Sequence, residues 1–128
     1  MDSSAAVEGR EFDWFARDAA GRIALFATGG SGPIPESVFR TLAGHDSAAE
    51  LVPISGWGSL AVWQSYASAG LYAYDWNDSS GVYGRVAVPA GPVSCAVAAA
   101  LVEMPLPILQ GEFTQALEVR LGDLQHGT

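Results

Sequence analysis

The chain of 128 residues has the length of a single domain, and its 49% apolar content is enough to build a core. Fourteen Asp and Glu residues oppose six Arg and no Lys, which gives a net charge of −8. This composition excludes a generic nucleic-acid binder, argues against an anionic membrane as partner, and excludes every lysine-based mechanism.

Cysteine content and hydropathy predict a cytoplasmic protein. The single cysteine, Cys95, cannot form an internal disulfide, and the N-terminal residues lack the basic and apolar regions of a signal peptide. Two charge-free stretches, 51–74 and 86–102, contain proline and glycine and are not typical of membrane spans. We therefore expect no membrane partner.

The first part of the chain predicts a β-hairpin. Residues 11–17 alternate between apolar and polar side chains, as a half-buried strand does, and residues 22–28 form a second strand after a turn. Gly21 is free to take the positive φ that such a turn requires. Residues 1–9 look like a flexible tail, so we expect the domain to span 10–128.

A glycine-rich connection and a helix follow the hairpin. Residues 29–33 break the sheet, and Pro35 suits the first turn of a helix that ends at Gly44. The dinucleotide fingerprint fails in this loop at its third glycine, and a Walker loop would need a lysine. We interpret the loop as a connector, and anion binding by its backbone stays an open alternative.

The remainder of the chain predicts two more helices, a second hairpin and a final strand. Spacing indicates a helix over 59–69, strands over 71–76 and 82–88, an alanine-rich helix over 94–102, and a strand over 115–121. The sum is a single α+β domain. We expect a mostly antiparallel sheet, built from two hairpins and a C-terminal strand, with the helices packed on one face.

Searches for catalytic and metal motifs give no match. No serine has the glycine spacing of a nucleophile elbow, and Cys95 lies in an apolar segment that is typical of an inert core thiol. His45 and His126 lack zinc spacing with that cysteine, and the turn after Asp75 lacks the residues of a calcium loop. We predict no catalytic residue, no metal and no cofactor.

Aromatic and acidic side chains carry the stronger signal for function. Four tryptophans are many for this length, and most of them are expected in the core. Aromatic rings flanked by aspartates are also good interface anchors, because the acids steer a basic partner. The candidate partner-binding residues are Asp13, Trp14, Asp18, Asp75, Trp76 and Asp78.

Five short motifs over about residues 11–92 describe hairpins, a glycine loop and a proline-led helix. They are DWFARD at 13–18, GRIALF at 21–26, GPIPESV at 32–38, GLYAYDW at 70–76 and YGRVAVP at 83–89. In these motifs the chain resembles immunity-protein-like families of bacterial polymorphic-toxin systems. The resemblance implies a non-enzymatic protein that neutralises a cognate toxin by binding it. A basic toxin would be attracted by an acidic inhibitor.

Two further hypotheses stay open. One is a small structural or ligand-binding domain, which a pocket lined by Trp63, Tyr66 and Tyr74 between the sheet and the helix over 59–69 would favour. The other is an enzyme with two carboxylates in one cleft. Its candidate acids are Asp13, Asp18, Asp75 and Asp78.

Overall fold

The computed structural model describes residues 11–125, so the tail predicted over residues 1–9 lies outside the described part. A 3-10 turn at Leu121–Asp123 precedes the last strand. The helices and strands are β1 Asp13–Arg17, β2 Ile23–Ala27, α1 Glu36–Phe39, α2 Leu42–Glu50, α3 Gly58–Ser68, β3 Tyr72–Asn77, β4 Val82–Ala87, α4 Cys95–Leu101, β5 Ile108–Leu109, β6 Glu118–Val119 and β7 Leu124–Gln125.

The strands of this α+β domain form one mixed sheet in the order β6-β4-β3-β2-β1-β5-β7. Both predicted hairpins are present, since β1 pairs with β2 and β3 pairs with β4, each antiparallel. However, β2 lies parallel to β3 and β1 lies parallel to β5. The chain between β2 and β3 contains three helices, which provide the crossover that a parallel pair requires. Four of the six strand pairings among the described residues are antiparallel, as expected, and the two parallel pairings make the sheet mixed.

Both faces of the sheet are buried, which differs from the half-buried strands that the sequence predicts. One face carries Phe15 and Leu25 and packs against α2, α3 and α4. The other face carries Trp14 and Phe26 and is covered by α1 and by the C-terminal segment around Phe113. The expectation that all helices pack on one face is therefore wrong for α1.

Several predicted boundaries are also wrong. Gly44 does not end a helix but lies inside α2, where an added Cβ would meet Met104 Cε at 2.9 Å. The strand predicted over 115–121 is reduced to the two residues of β6. Cys95 is exposed rather than in the core, because it lies on the side of α4 opposite to the buried Val97.

Candidate functional site: an acidic cleft

A cleft of about 730 Å³ opens between α3 and one end of the central strands β1, β2 and β3. Many of the described residues that line it are acidic or aromatic. The carboxylates belong to Glu11, Asp13 and Asp75, the aromatic rings belong to Trp63 and Tyr66, and Trp76 borders the cleft at the end of β3.

The register of the sheet brings Asp13 and Asp75 into this cleft. Asp13 in β1 lies opposite Ala27 in β2, and Ala27 lies opposite Asp75 in β3. Residues in register point to the same face, and two strand spacings place the Cα atoms of the two aspartates about 10 Å apart. The small methyl group of Ala27 leaves the space between the carboxylates open.

The carboxyl group of Asp13 has a pKa well above its ordinary value. Burial raises its pKa to about 6, and the negative charges of Glu11 and Asp46 act in the same direction. The hydroxyl of Tyr66 donates a hydrogen bond to Asp13 Oδ2 at 3.3 Å, which opposes this shift. The Tyr66 hydrogen bond also fixes the orientation of the carboxyl group.

Burial and nearby negative charges also raise the pKa values of two other groups in the cleft, Asp75 and Tyr66. Burial and the charge of Glu11 raise the pKa of Asp75, and a backbone hydrogen bond with Trp76 opposes them. Burial and Asp13 raise the pKa of Tyr66 above its ordinary value, so its hydroxyl stays a neutral donor at physiological pH. None of the described residues that line the cleft is an arginine or a histidine. The cleft is therefore a region of negative potential.

Trp63 forms an aromatic wall of the cleft. Its ring in α3 lies 5.8 Å from that of Tyr66, and it is partly exposed. Trp76 borders the cleft at the end of β3, but strand alternation turns its ring to the opposite face of the sheet, where it packs 5.2 Å from the ring of Tyr83. The indole N–H of Trp76 donates to Asp78 Oδ1 at 2.6 Å. The Trp63 wall is thus held by a protein contact while it remains accessible.

Three of the six predicted partner-binding residues line the cleft. They are Asp13, Asp75 and Trp76, although the ring of Trp76 packs on the opposite face of the sheet. Asp78 is exposed and accepts hydrogen bonds from the indole N–H of Trp76 and from the hydroxyl of Ser31, the latter at 3.0 Å. The carboxylates predicted on separate strands, Asp13 and Asp75, therefore come together in one cleft.

Trp14, by contrast, belongs to the core. It is 0% exposed, its ring stacks 4.2 Å from that of Phe26, and its indole N–H donates to Tyr83 Oη at 3.3 Å. It is unavailable to a partner because α1 and the C-terminal segment cover this face of the sheet. We therefore leave it out of the proposed binding surface.

Asp18 is likewise a structural residue, with 2% of its surface exposed. Its Oδ2 accepts the backbone N–H of Phe113 at 3.0 Å, and Arg22 forms an ion pair with it at 3.4 Å. Asp18 thereby fastens the C-terminal segment to the first hairpin. We leave it out of the binding surface for this reason.

The pocket predicted beside the third helix is present with a different lining. Trp63 and Tyr66 line it, but Tyr74 faces the other side of the sheet, where its hydroxyl donates to the carbonyl of Ala116 at 2.6 Å. Glu11 lines the cleft although it is not among the predicted site residues. The available signal was its alternation with Asp13, which places both acids on one face.

The glycine loop uses its own backbone donors. The N–H groups of Ser31 and Gly32 donate to the carbonyl of Thr28, and that of Gly30 donates to Thr28 Oγ1. These contacts support the interpretation as a connector. Within residues 11–125, no group of three or more His, Cys, Asp or Glu side chains is arranged to hold a metal ion. In the same part of the chain, no helix has the length and hydropathy needed to cross a bilayer.

Known proteins provide no separate guide to this cleft. Comparison of the chain with protein-family models, with curated proteins and with solved structures gives no match. The functional interpretation therefore depends on the geometry and chemistry of the cleft itself.

Proposed function

We propose that this chain is a non-enzymatic binding protein of the immunity type, which neutralises a basic toxin through the acidic cleft. The observation that carries the proposal is the register of Asp13, Ala27 and Asp75, which places two carboxylates in one cleft beside the aromatic side chains of α3. Carboxylates attract a cationic surface at a distance, and aromatic rings supply contact area after water has left.

The distribution of arginines supports this proposal. Arg22 pairs with Asp18 and Glu112 at the end of β2 away from the cleft. Arg17 donates to the carbonyl of Met104. Both of these cations contact groups away from the cleft, so neither of them neutralises its carboxylates.

The proposed action is occlusion of a basic surface. An enzyme that cleaves nucleic acid must attract phosphate groups, so its active site is surrounded by cations. An acidic cleft competes for those cations. Charge complementarity accelerates the encounter, and buried aromatic contacts slow dissociation.

The test uses the product of the gene immediately upstream of this one. We expect a complex that forms at low salt, weakens as salt increases, and restores the survival of cells that express the upstream product. Variants Asp13→Asn and Asp75→Asn should weaken the complex, whereas Glu103→Gln, an exposed carboxylate outside the cleft, should not. No complex at low salt together with unchanged survival would exclude this function.

A carboxylate-based hydrolase is the second candidate, and the positions of Asp13 and Asp75 favour it. General acid–base catalysis uses two carboxyl groups in one cleft, and a pKa of about 6 at Asp13 suits a proton donor. Turnover of a glycoside or phosphodiester that is abolished by Asp13→Asn would favour this candidate. The proposed binding function expects no turnover.

A further inference from the structure

The geometry points to the cleft as a receptor for one guanidinium group, so that the partner inserts an arginine side chain between Asp13 and Asp75. This inference rests on the proposed function and specifies the chemistry of its central contact. The occupant is an arginine on the surface of a partner protein, and the charge complementarity of the cleft is the argument for it.

Planar shape favours arginine over lysine at this position. The open space above Ala27 has a carboxylate on each side, since Asp13 and Asp75 are two strands apart. A guanidinium has N–H donors along more than one edge and so can reach both carboxylates at once. A lysine ammonium is a compact charge that is more strongly hydrated, and it pairs best with one carboxylate.

The aromatic wall of the cleft suits the same group. A guanidinium stacks on an indole ring, and this contact strengthens when water is excluded. Trp63 lines the cleft and is held by its contact with Tyr66. Its ring is therefore oriented before a ligand arrives, which lowers the entropy lost on binding.

A cation would relieve an unfavourable arrangement of charge in the free protein. Tyr66 of α3, Asp46 of α2, Glu11 and, across Ala27, Asp75 surround Asp13. Burial and like charge keep part of the Asp13 population protonated near pH 6. Binding of a guanidinium favours the ionised form, so it releases a proton, and affinity rises as the pH passes upward through this range.

The segment that contributes Ile54 and Gly58 to the cleft also exposes apolar side chains. Trp57 is 98% exposed between Gly56 and Gly58, whose φ angles are +97° and +84°. Ile54 and Leu60 of the same segment are also exposed. Exposed apolar groups beside a charged contact exclude water from it once a partner covers them.

The experiment is a titration of the whole chain with N-acetyl-arginine amide, followed by the indole N–H resonances of the tryptophans. The matched probe is N-acetyl-citrulline amide, which has the same shape and no charge. We expect a saturable shift at Trp63, none at the buried Trp14, and at least about tenfold weaker binding of the citrulline probe. N-acetyl-lysine amide should also bind more weakly than the arginine probe.

Variants then identify the carboxylates. Asp13→Asn and Asp75→Asn should each weaken the arginine probe about tenfold, and Glu103→Gln should leave its affinity unchanged. Retained dispersion of the amide spectrum confirms that each variant is folded. Equal binding of the arginine and citrulline probes would overturn the inference, and so would aspartate variants that behave like Glu103→Gln.

Failure of this inference is distinguishable from failure of the proposed function. A protein partner whose affinity is unchanged in Asp13→Asn and Asp75→Asn would preserve the immunity role and overturn the arginine site. Specific binding of the arginine probe without any toxin complex would support the arginine site and remove the immunity role.

Discussion

The imidazole of His45 accepts a hydrogen bond from the backbone N–H of Phe15, with 3.0 Å between Nδ1 and N. This contact joins α2 to β1. It lies next to the short β1–β5 ladder, which contains only the pair Arg17 and Ile108. Because Nδ1 is the acceptor, the neutral ring carries its proton on Nε2. Within the described part of the chain, Nε2 is buried without a hydrogen-bond partner.

Acid should destabilise the fold through His45. Burial lowers its pKa from 6.5 to about 4, so the unfolded chain binds a proton at a higher pH than the folded one. The contribution of the neutral His45 to the free energy of unfolding is complete above pH 6.5. It decreases by on the order of 3 kcal/mol as the pH falls to about 4. Denaturant unfolding across this range measures it. His45→Gln should remove the acid-dependent loss, and an unchanged pH slope in this variant would contradict the assignment.

Asp13 should act in the opposite direction. Its folded pKa is raised to about 6 from 3.8, so its contribution to stability is lost as the pH rises from 3.8 to about 6. At neutral pH, Asp13→Asn should therefore raise the free energy of unfolding by about 1–2 kcal/mol, allowing for solvent screening. Urea denaturation at neutral pH and at pH 3.8 checks this, because the gain should vanish at the lower pH. An equal gain in Glu103→Gln would show that net charge alone is responsible.

Removal of the Asp18 carboxyl group should loosen the C-terminal segment. Asp18→Ala leaves the buried backbone N–H of Phe113 without its acceptor, which costs about 1–3 kcal/mol. Hydrogen exchange at the Phe113 amide should accelerate together with the loss of thermal stability. Arg22→Gln is the matched control, because it removes only the partly exposed ion pairs with Asp18 and Glu112 and should cost less stability than Asp18→Ala. Slow exchange at Phe113 in Asp18→Ala would refute the role of this carboxylate.

Gly32→Ala should disturb the packing of Trp76 against Tyr83. An added Cβ would lie 2.6 Å from Tyr83 Oη and 2.9 Å from Trp76 Cβ, so these side chains must shift. We expect a loss of about 1–3 kcal/mol and a change in tryptophan fluorescence. Gly111→Ala is the control, because no heavy atom lies within 4 Å of the Cβ that it would add. Equal effects of the two substitutions would contradict the steric argument.

Local patterns predicted the hairpins, the third helix and the fourth helix, because alternation and helical spacing are properties of neighbouring residues. They did not predict that β2 lies parallel to β3, since a strand's own pattern does not identify its neighbour after a long crossover. The burial of Trp14 was missed because the segment that covers it has no regular period. The proximity of Asp13 and Asp75 depends on the same strand order, so the sequence did not predict it either.

The residue types of the site could therefore be predicted from the sequence, but their position in the fold could not. Asp13, Asp75 and Trp76 were identified from their chemistry, and the structure brings them together. Trp57 was counted among the tryptophans, but nothing in its neighbours indicated that it would be almost fully exposed. Exposure depends on what the rest of the chain leaves uncovered.

The two outermost strands of the sheet, β6 and β7, lie at opposite edges and are only a few residues apart in sequence. During synthesis, the ribosome therefore produces both edge strands after every other element of the sheet. Until then, β4 and β5 expose backbone donors and acceptors that another nascent chain can pair with. Translation that stops before residue 118 would leave a product prone to aggregation, with both borders of its sheet unprotected.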